Sequence, residues 1–164
     1  MKMPDELAAA FNDQISMELG SSMAYLQMSA YFEAENLTGM AGWMRMQATE
    51  ETDHAHRFMQ FVVDRGNPVR LGAIEAPVSG FDGVEQVFVT ALEQEQEVTR
   101  AIHDLYRLAT ESGDLASYPF LQTFIEEQNE EEATVETILE RVRLAGGESS
   151  AILLLDSQLG SRSG

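Results

Sequence analysis

The stretch Glu50-Glu51-Thr52-Asp53-His54 places two glutamates and an imidazole within little more than one helical turn. Glu51 and His54 fall in slots where the surrounding pattern calls for apolar side chains. The same arrangement recurs further along the chain. Glu18 and Glu51 are 33 residues apart, as are Glu95 and Gln128, and steps of three join Glu51 to His54 and Gln128 to Glu131. One offset of 77 residues therefore carries Glu18, Glu51 and His54 onto Glu95, Gln128 and Glu131. Duplication of a helix pair produces such an offset, and it brings all six side chains to one level of a bundle. A buried carboxylate without a partner costs several kcal/mol. Four of them would overwhelm a domain whose whole stability is about 5–15 kcal/mol. Two divalent cations balance four carboxylates, with His54 and Gln128 left as neutral ligands. A carboxylate-rich set with one imidazole suits iron or manganese better than soft metals, and zinc stays open. One mid-stripe glutamate is ordinarily just a paired residue; six such positions at one level point to a dimetal site.

Helices must position these groups. Four long amphipathic segments stand out: one from about Pro4 to Glu35, one after "NLTG" ending near "DRGNP", one from "FDG" to "ESG", and one from Asp114 to Gly146-Gly147. Asp82 reads as the N-cap of the third, and Pro119 is tolerated in the first turns of the fourth. A short fifth segment, "SSAILLLDSQLG", opens with a serine cap and ends at Gly160. Apolar stripes at steps of three and four run through all four long segments. Phe11, Ile15, Tyr25 and Phe32 mark the first, and Met40, Met44, Phe58 and Phe61 the second; Val84, Phe88, Val98 and Leu105 mark the third, and Phe120, Phe124, Val135 and Val142 the fourth. Each stripe is interrupted near its middle by one or more of the six polar residues. In the fourth either Glu127 or Gln128 takes the slot. His56 and His103 fall off the stripes and read as solvent-facing, whereas the methionines, Trp43 and the phenylalanines read as packing.

Short joins pair the first segment with the second and the third with the fourth as antiparallel neighbours. The 15-residue "GNPVRLGAIEAPVSG" suits a crossover along the bundle, making the second and third helices parallel neighbours or diagonal partners. The predicted fold is all-α: a single domain over 1–164, with a four-helix bundle at about 4–146, one long crossover and a short helix at about 149–160.

Composition narrows the function classes. The chain has 28 Asp+Glu against 10 Lys+Arg, a net charge of −18, which disfavours nucleic acid and anionic membranes as partners. The charge serves solubility, and it also attracts cations. Cysteine is absent, so thiolate metal sites and thiol nucleophiles are excluded. No run approaches the roughly 18 apolar residues of a membrane span, and "MKMPDELAAAFNDQ" shows no apolar targeting core. A cytoplasmic location is expected.

The stretches "ELGSSMAYLQMSAYF", "ATEETDHAHRF" and "FIEEQNEEE" closely resemble non-haem bacterial ferritins, and the resemblance spans nearly the whole chain. Dimetal bundles of the ferritin-like group commonly repeat Glu-x-x-His on two helices. Here the second copy is Gln128-x-x-Glu131, the form of the non-haem bacterial members. The resemblance implies a ferroxidase centre with one iron on Glu18 and His54, another on Glu95 and Glu131, Glu51 bridging and Gln128 close by. Tyr25 matches the tyrosine beside the centre. Glu50, Glu127 and Glu130, each one position before a centre residue, match a third, weaker iron site on the path toward a cavity. Read from the residues alone, "EEQNEEE" is an acidic solvated face whose like charges cost a few tenths of a kcal/mol per pair. The haem-binding relatives place a methionine directly after the bridging glutamate. Thr52 stands there in this sequence, and Met46 and Met59 lie elsewhere, so no haem is expected.

The implied activity is iron storage. Fe(II) would be oxidised by dioxygen or peroxide, and ferric product mineralised inside a hollow homo-oligomeric shell of 24 subunits, with the fifth segment at symmetry axes. The run Ile152 to Leu155 would be costly to expose in a monomer, which independently favours burial at an interface. The rival reading is a small-oligomer di-iron oxidoreductase that oxidises an organic substrate or reduces peroxide.

Overall fold

The computed structural model describes residues 1–161 of the chain. Its long helices are α1 (Asp5–Ala34), α2 (Thr38–Asp64), α3 (Val84–Glu111) and α4 (Tyr118–Ala145), with a short α5 (Ser149–Gly160). Among the described residues there is no strand, and no helix is long and apolar enough to cross a membrane. A 3-10 turn at Leu115–Ser117 leads into α4, whose first turn holds Pro119 as expected and whose end is closed by Gly146 at φ 57°.

Around the bundle, α1 packs against α2 and α3, and α4 packs against α3. The fourth side is closed by α2 against α4 through Phe58, Phe120 and Phe124. Helices α2 and α3 are thus diagonal partners. They run parallel, since Trp43 near the start of α2 meets Phe88 near the start of α3, with ring centres 6.0 Å apart.

Helix ends depart from the sequence reading. Asp82 is not the cap of α3: Gly83 holds the N-cap position at φ 96°, and the Asp82 amide instead donates to the Gln86 side chain. Ser149 is likewise inside α5, with Glu148 at its N-cap. Helix α2 begins within "NLTG" rather than after it, and its cap comes from far away. The Met40 amide donates to the Asp156 carboxylate of α5 at 2.7 Å. The two helices cross closely there: a methyl group on Gly39 would lie 1.9 Å from the Asp156 carbonyl oxygen, and one on Gly160 would lie 2.9 Å from the Gly39 Cα.

The crossover at residues 65–83 has no regular structure and is fastened to α1. Asn12 accepts from the Arg70 amide at 2.6 Å and donates to the Pro68 carbonyl at 3.1 Å. One turn on, Ser16 Oγ accepts from the Gly72 amide at 2.9 Å. Asn67 bonds both the amide and the carbonyl of Met3. At the same end Arg65 grips Asp114 with two hydrogen bonds of 2.9 and 2.5 Å, and Ser117 donates to that carboxylate as well.

The apolar interior falls into two clusters. One holds Tyr25, Met28, Phe32, Met40, Met44, Phe88, Val135 and Ile138; the other holds Phe11, Ile15, Phe58, Val98, Ile102, Leu121 and Phe124. Every long helix contributes to both. The break falls between Ile15 and Tyr25 on α1, Ala48 and Ala55 on α2, Ala91 and Val98 on α3, and Phe124 and Val135 on α4. Those gaps contain the six polar positions. Packing was expected of the methionines; Met3, Met28, Met40 and Met44 are buried, but Met1, Met17, Met23 and Met46 are exposed.

Candidate metal centre

Between the two clusters lies a buried polar layer to which all four long helices contribute. Glu18, Glu51, His54, Glu95 and Gln128 are each no more than 3% exposed, and Glu131 is half-buried. Steps of three and four along each helix put these residues in line with the core stripe, so the packing that buries the phenylalanines buries them too. Glu18, Glu51 and His54 offer ligand atoms that all lie within 4.8 Å of one another. His54 Nδ1 stands 3.7 Å from Glu51 Oε2. The opposite half of the layer is tied by hydrogen bonds. The Tyr25 hydroxyl donates to Glu95 Oε1 at 2.5 Å, and the Gln128 amide donates to Glu95 Oε2 at 3.1 Å.

Among the described residues, four buried side-chain atoms have no hydrogen-bond partner: Glu18 Oε2, Glu51 Oε2, His54 Nδ1 and Gln128 Oε1. Orphaned buried acceptors are rare and costly. All four are hard oxygen or imidazole donors of the kind that Fe(II) or Mn(II) accepts, so the donor set fits such ions.

Electrostatics agree with geometry. Burial pushes the carboxyl groups of Glu18 and Glu51 well above the usual carboxylate range, and their neighbours Glu51 (for Glu18) and Glu95 (for Glu51) push further. Burial also raises Glu95, opposed by the hydrogen bonds from Tyr25 and Gln128. Glu131 is raised to about 8 by burial and by the charges of Glu50 and Glu95. Tyr25 is driven up by burial and by Glu95, so its hydroxyl remains a neutral donor. Such mutual repulsion is what a bound dication removes.

The remaining sequence-predicted residues scatter more. Glu50 lies close enough to raise Glu131 and accepts from Gln47 at 3.2 Å. Glu130 is exposed. Glu127 is half-buried and engaged: the Arg57 guanidinium donates to its Oε2 at 2.7 Å, and His54 Nε2 lies 3.6 Å from the same oxygen. Gln128, not Glu127, occupies the core slot of α4. Thr52 donates to the Ala48 carbonyl at 3.0 Å and lies 2.9 Å from the Ser22 hydroxyl. His56 and His103 are exposed, as expected.

Three supporting residues escaped the sequence reading. Gln14 donates to Glu18 Oε1 at 2.7 Å; its position four residues before Glu18 was the available signal. Thr99 receives the Gln128 amide at 3.4 Å and donates to Glu132 at 2.5 Å, a pairing that repeats the 33-residue interval one turn on. Arg57 was visible only as a basic residue three after His54.

A four-helix bundle with one long crossover, a fifth short helix and a carboxylate–imidazole layer across its waist defines the class. A family model for the ferritin-like domain matches residues 8–145. A bacterial non-heme ferritin of Bacteroides fragilis is 37% identical over 158 residues, spanning 96% of this chain and 98% of its own length. Its namesake in Staphylococcus aureus is 36% identical over 156 residues, with 95% and 94% covered. The structure of an open-pore ferritin from the hyperthermophilic archaeon Archaeoglobus fulgidus superposes with a TM-score of 0.96 at 40% identity, covering 98% of each chain. The chain belongs to the ferritin family.

Proposed function

We propose that the protein stores iron, oxidising Fe(II) in the buried layer and holding the ferric product inside a shell of its own copies. The observation that carries this reading is the cluster of Glu18, Glu51 and His54, with ligand atoms within 4.8 Å of one another and three orphaned polar atoms among them. Iron is here substrate and cargo. One Fe(II) would be held by Glu18 and His54 and a second by Glu95 and Glu131, with Glu51 between them and Gln128 adjacent. Each ion gives up one electron, so a pair reduces dioxygen to peroxide, or peroxide to water with uptake of two protons.

The protein's own groups divide the work. Gln14 and Tyr25 hold Glu18 and Glu95 in place, and the phenylalanines on either side keep water from the layer. Before loading, the raised carboxyl groups carry protons that incoming cations displace. Once the pair of ions rises from a total charge of +4 to +6, four carboxylates no longer neutralise it. Extra anionic oxygen must come from water or reduced oxidant, and ferric product is driven outward toward the acidic face of Glu50, Glu127 and Glu130. A shell is required because one bundle encloses no storage cavity; 24 copies is the size implied by the family resemblance.

Glu51→Ala and His54→Ala should each slow initial aerobic Fe(II) oxidation at least tenfold while leaving the particle mass unchanged. Wild-type rates in both variants would overturn the assignment. Light scattering separates the rival reading, a small di-iron oxidoreductase: a dimer-sized particle would sink the storage role, and about half a megadalton supports it.

A further inference from the structure

On this reading of the centre, we propose that Arg57 is a built-in counter-ion that holds Glu127 against His54 and makes it compete with a cation for that carboxylate. Arg57 and His54 lie on one face of α2, one turn apart, and Glu127 faces them from α4. Four contacts close a ring. The Arg57 guanidinium donates to Glu127 Oε2 at 2.7 Å, and that oxygen lies 3.6 Å from His54 Nε2. The guanidinium also sits 4.1 Å from the centre of the Phe124 ring, whose edge-to-face partner at 5.3 Å is the His54 imidazole.

Two consequences follow from this ring. The imidazole's nitrogens are divided: Nε2 faces Glu127, and Nδ1, with no hydrogen-bond partner among the described residues, faces Glu51 Oε2 at 3.7 Å. A carboxylate at the far nitrogen of a ligating imidazole favours the tautomer that leaves the near nitrogen free for metal. The second consequence concerns Glu127 itself. A divalent ion at the outer acidic face gains this carboxylate only by displacing a guanidinium already in a charge-assisted hydrogen bond. Guanidinium stacked on an aromatic face is held in its plane, so the pair is pre-formed rather than assembled on demand. Arg57 thereby sets how weakly a third cation binds. Glu127 alternates between supporting His54 and receiving an ion that leaves the centre.

The test is anaerobic equilibrium titration of the assembled protein with Fe(II), and with Mn(II) as a redox-inert check, counting ions per subunit. Arg57→Gln should tighten the weakest-bound ion about tenfold, equivalent to about 1.4 kcal/mol. If the wild type shows no such ion, it should bring one into range. Arg57→Lys keeps the charge and should stay near wild type. Glu127→Gln should abolish the extra ion in both backgrounds. An unchanged or weaker third ion in Arg57→Gln, with the particle mass and thermal midpoint near wild type, overturns the inference. The centre is tested separately: loss of the two tight ions in Glu51→Ala and His54→Ala upholds it whatever Arg57 does, and their retention removes the basis of both readings.

Discussion

A carboxyl group buried among other carboxyl groups holds its proton, and that fact governs the metal-free protein. Glu131 is raised to about 8 from an ordinary value of 4.5. Burial raises Glu18, Glu51 and Glu95, and the charges of Glu51 on Glu18 and of Glu95 on Glu51 push further. Between pH 4.5 and about 8 the folded protein therefore binds more protons than the unfolded chain. Stability is full below the unfolded value and falls as pH rises through the folded one. Metal-free protein should accordingly melt at a lower temperature at pH 8 than at pH 6. Glu131→Gln should flatten that dependence, and saturating Mn(II) should reverse it. Anaerobic metal addition at pH 7 in weak buffer should release protons, measurable with an indicator dye; no release would mean the layer is already ionised. The layer was legible in sequence because buried charge in a core stripe is anomalous and the anomaly repeats at a fixed offset. Its supports on neighbouring helices, Thr99 and Arg57, were not. The resemblance assigns Glu127 to a third iron site, and only the approach of α2 to α4 reveals the guanidinium that engages it.

Helices and their order could be read from periodicity, since each long stripe must turn inward. Their ends were harder, because a cap is chosen by whichever donor or acceptor the tertiary fold delivers. Asp82 and Ser149 are good local candidates, yet neither caps its helix, while α2 is capped by Asp156, 116 positions away. Nothing local to Gly39 announces that α5 will press against it. Gly39→Ala should therefore force α5 off the bundle, and Asp156→Ala should cost about 1 kcal/mol through the lost cap. Limited proteolysis should show cleavage near residues 146–149 in the first variant well before the second. The Arg65–Asp114 clamp at the other end titrates in the opposite direction from the layer. Hydrogen bonds from Arg65 hold the Asp114 carboxyl below its ordinary 3.8. Its contribution is complete above that value and fades as pH falls through the lowered one. Asp114→Asn should lose about 1.5–3 kcal/mol at pH 7 by denaturant unfolding, a deficit that shrinks below pH 3.8.

At the scale of the whole molecule, charge and exposed apolar surface point outward to assembly. Leu153 and Leu154 on α5 are 59% and 61% exposed, and Met17, Met23, Leu26 and Leu71 lie open on α1 and the crossover. Contiguous exposed apolar surface marks an interaction site, and in the proposed shell these residues would lie where copies meet. Leu153→Glu with Leu154→Glu should reduce the particle mass by light scattering while circular dichroism stays helical. A net charge of −18 on each chain should make initial Fe(II) uptake fall as ionic strength rises.

The polar layer that separates the two apolar clusters also governs how the bundle aligns. Four helices with similar greasy stripes could slide past one another by a turn and still find methionine and phenylalanine to pack against. Any such slip would lift a glutamate out of the layer and press it, uncompensated, into hydrocarbon, at a cost of several kcal/mol. Only one alignment gathers all six polar side chains in a single plane. A buried polar position is a known means of fixing register between helices. The centre that would hold iron thus also acts as a ruler, telling each helix where to stop before any ion arrives.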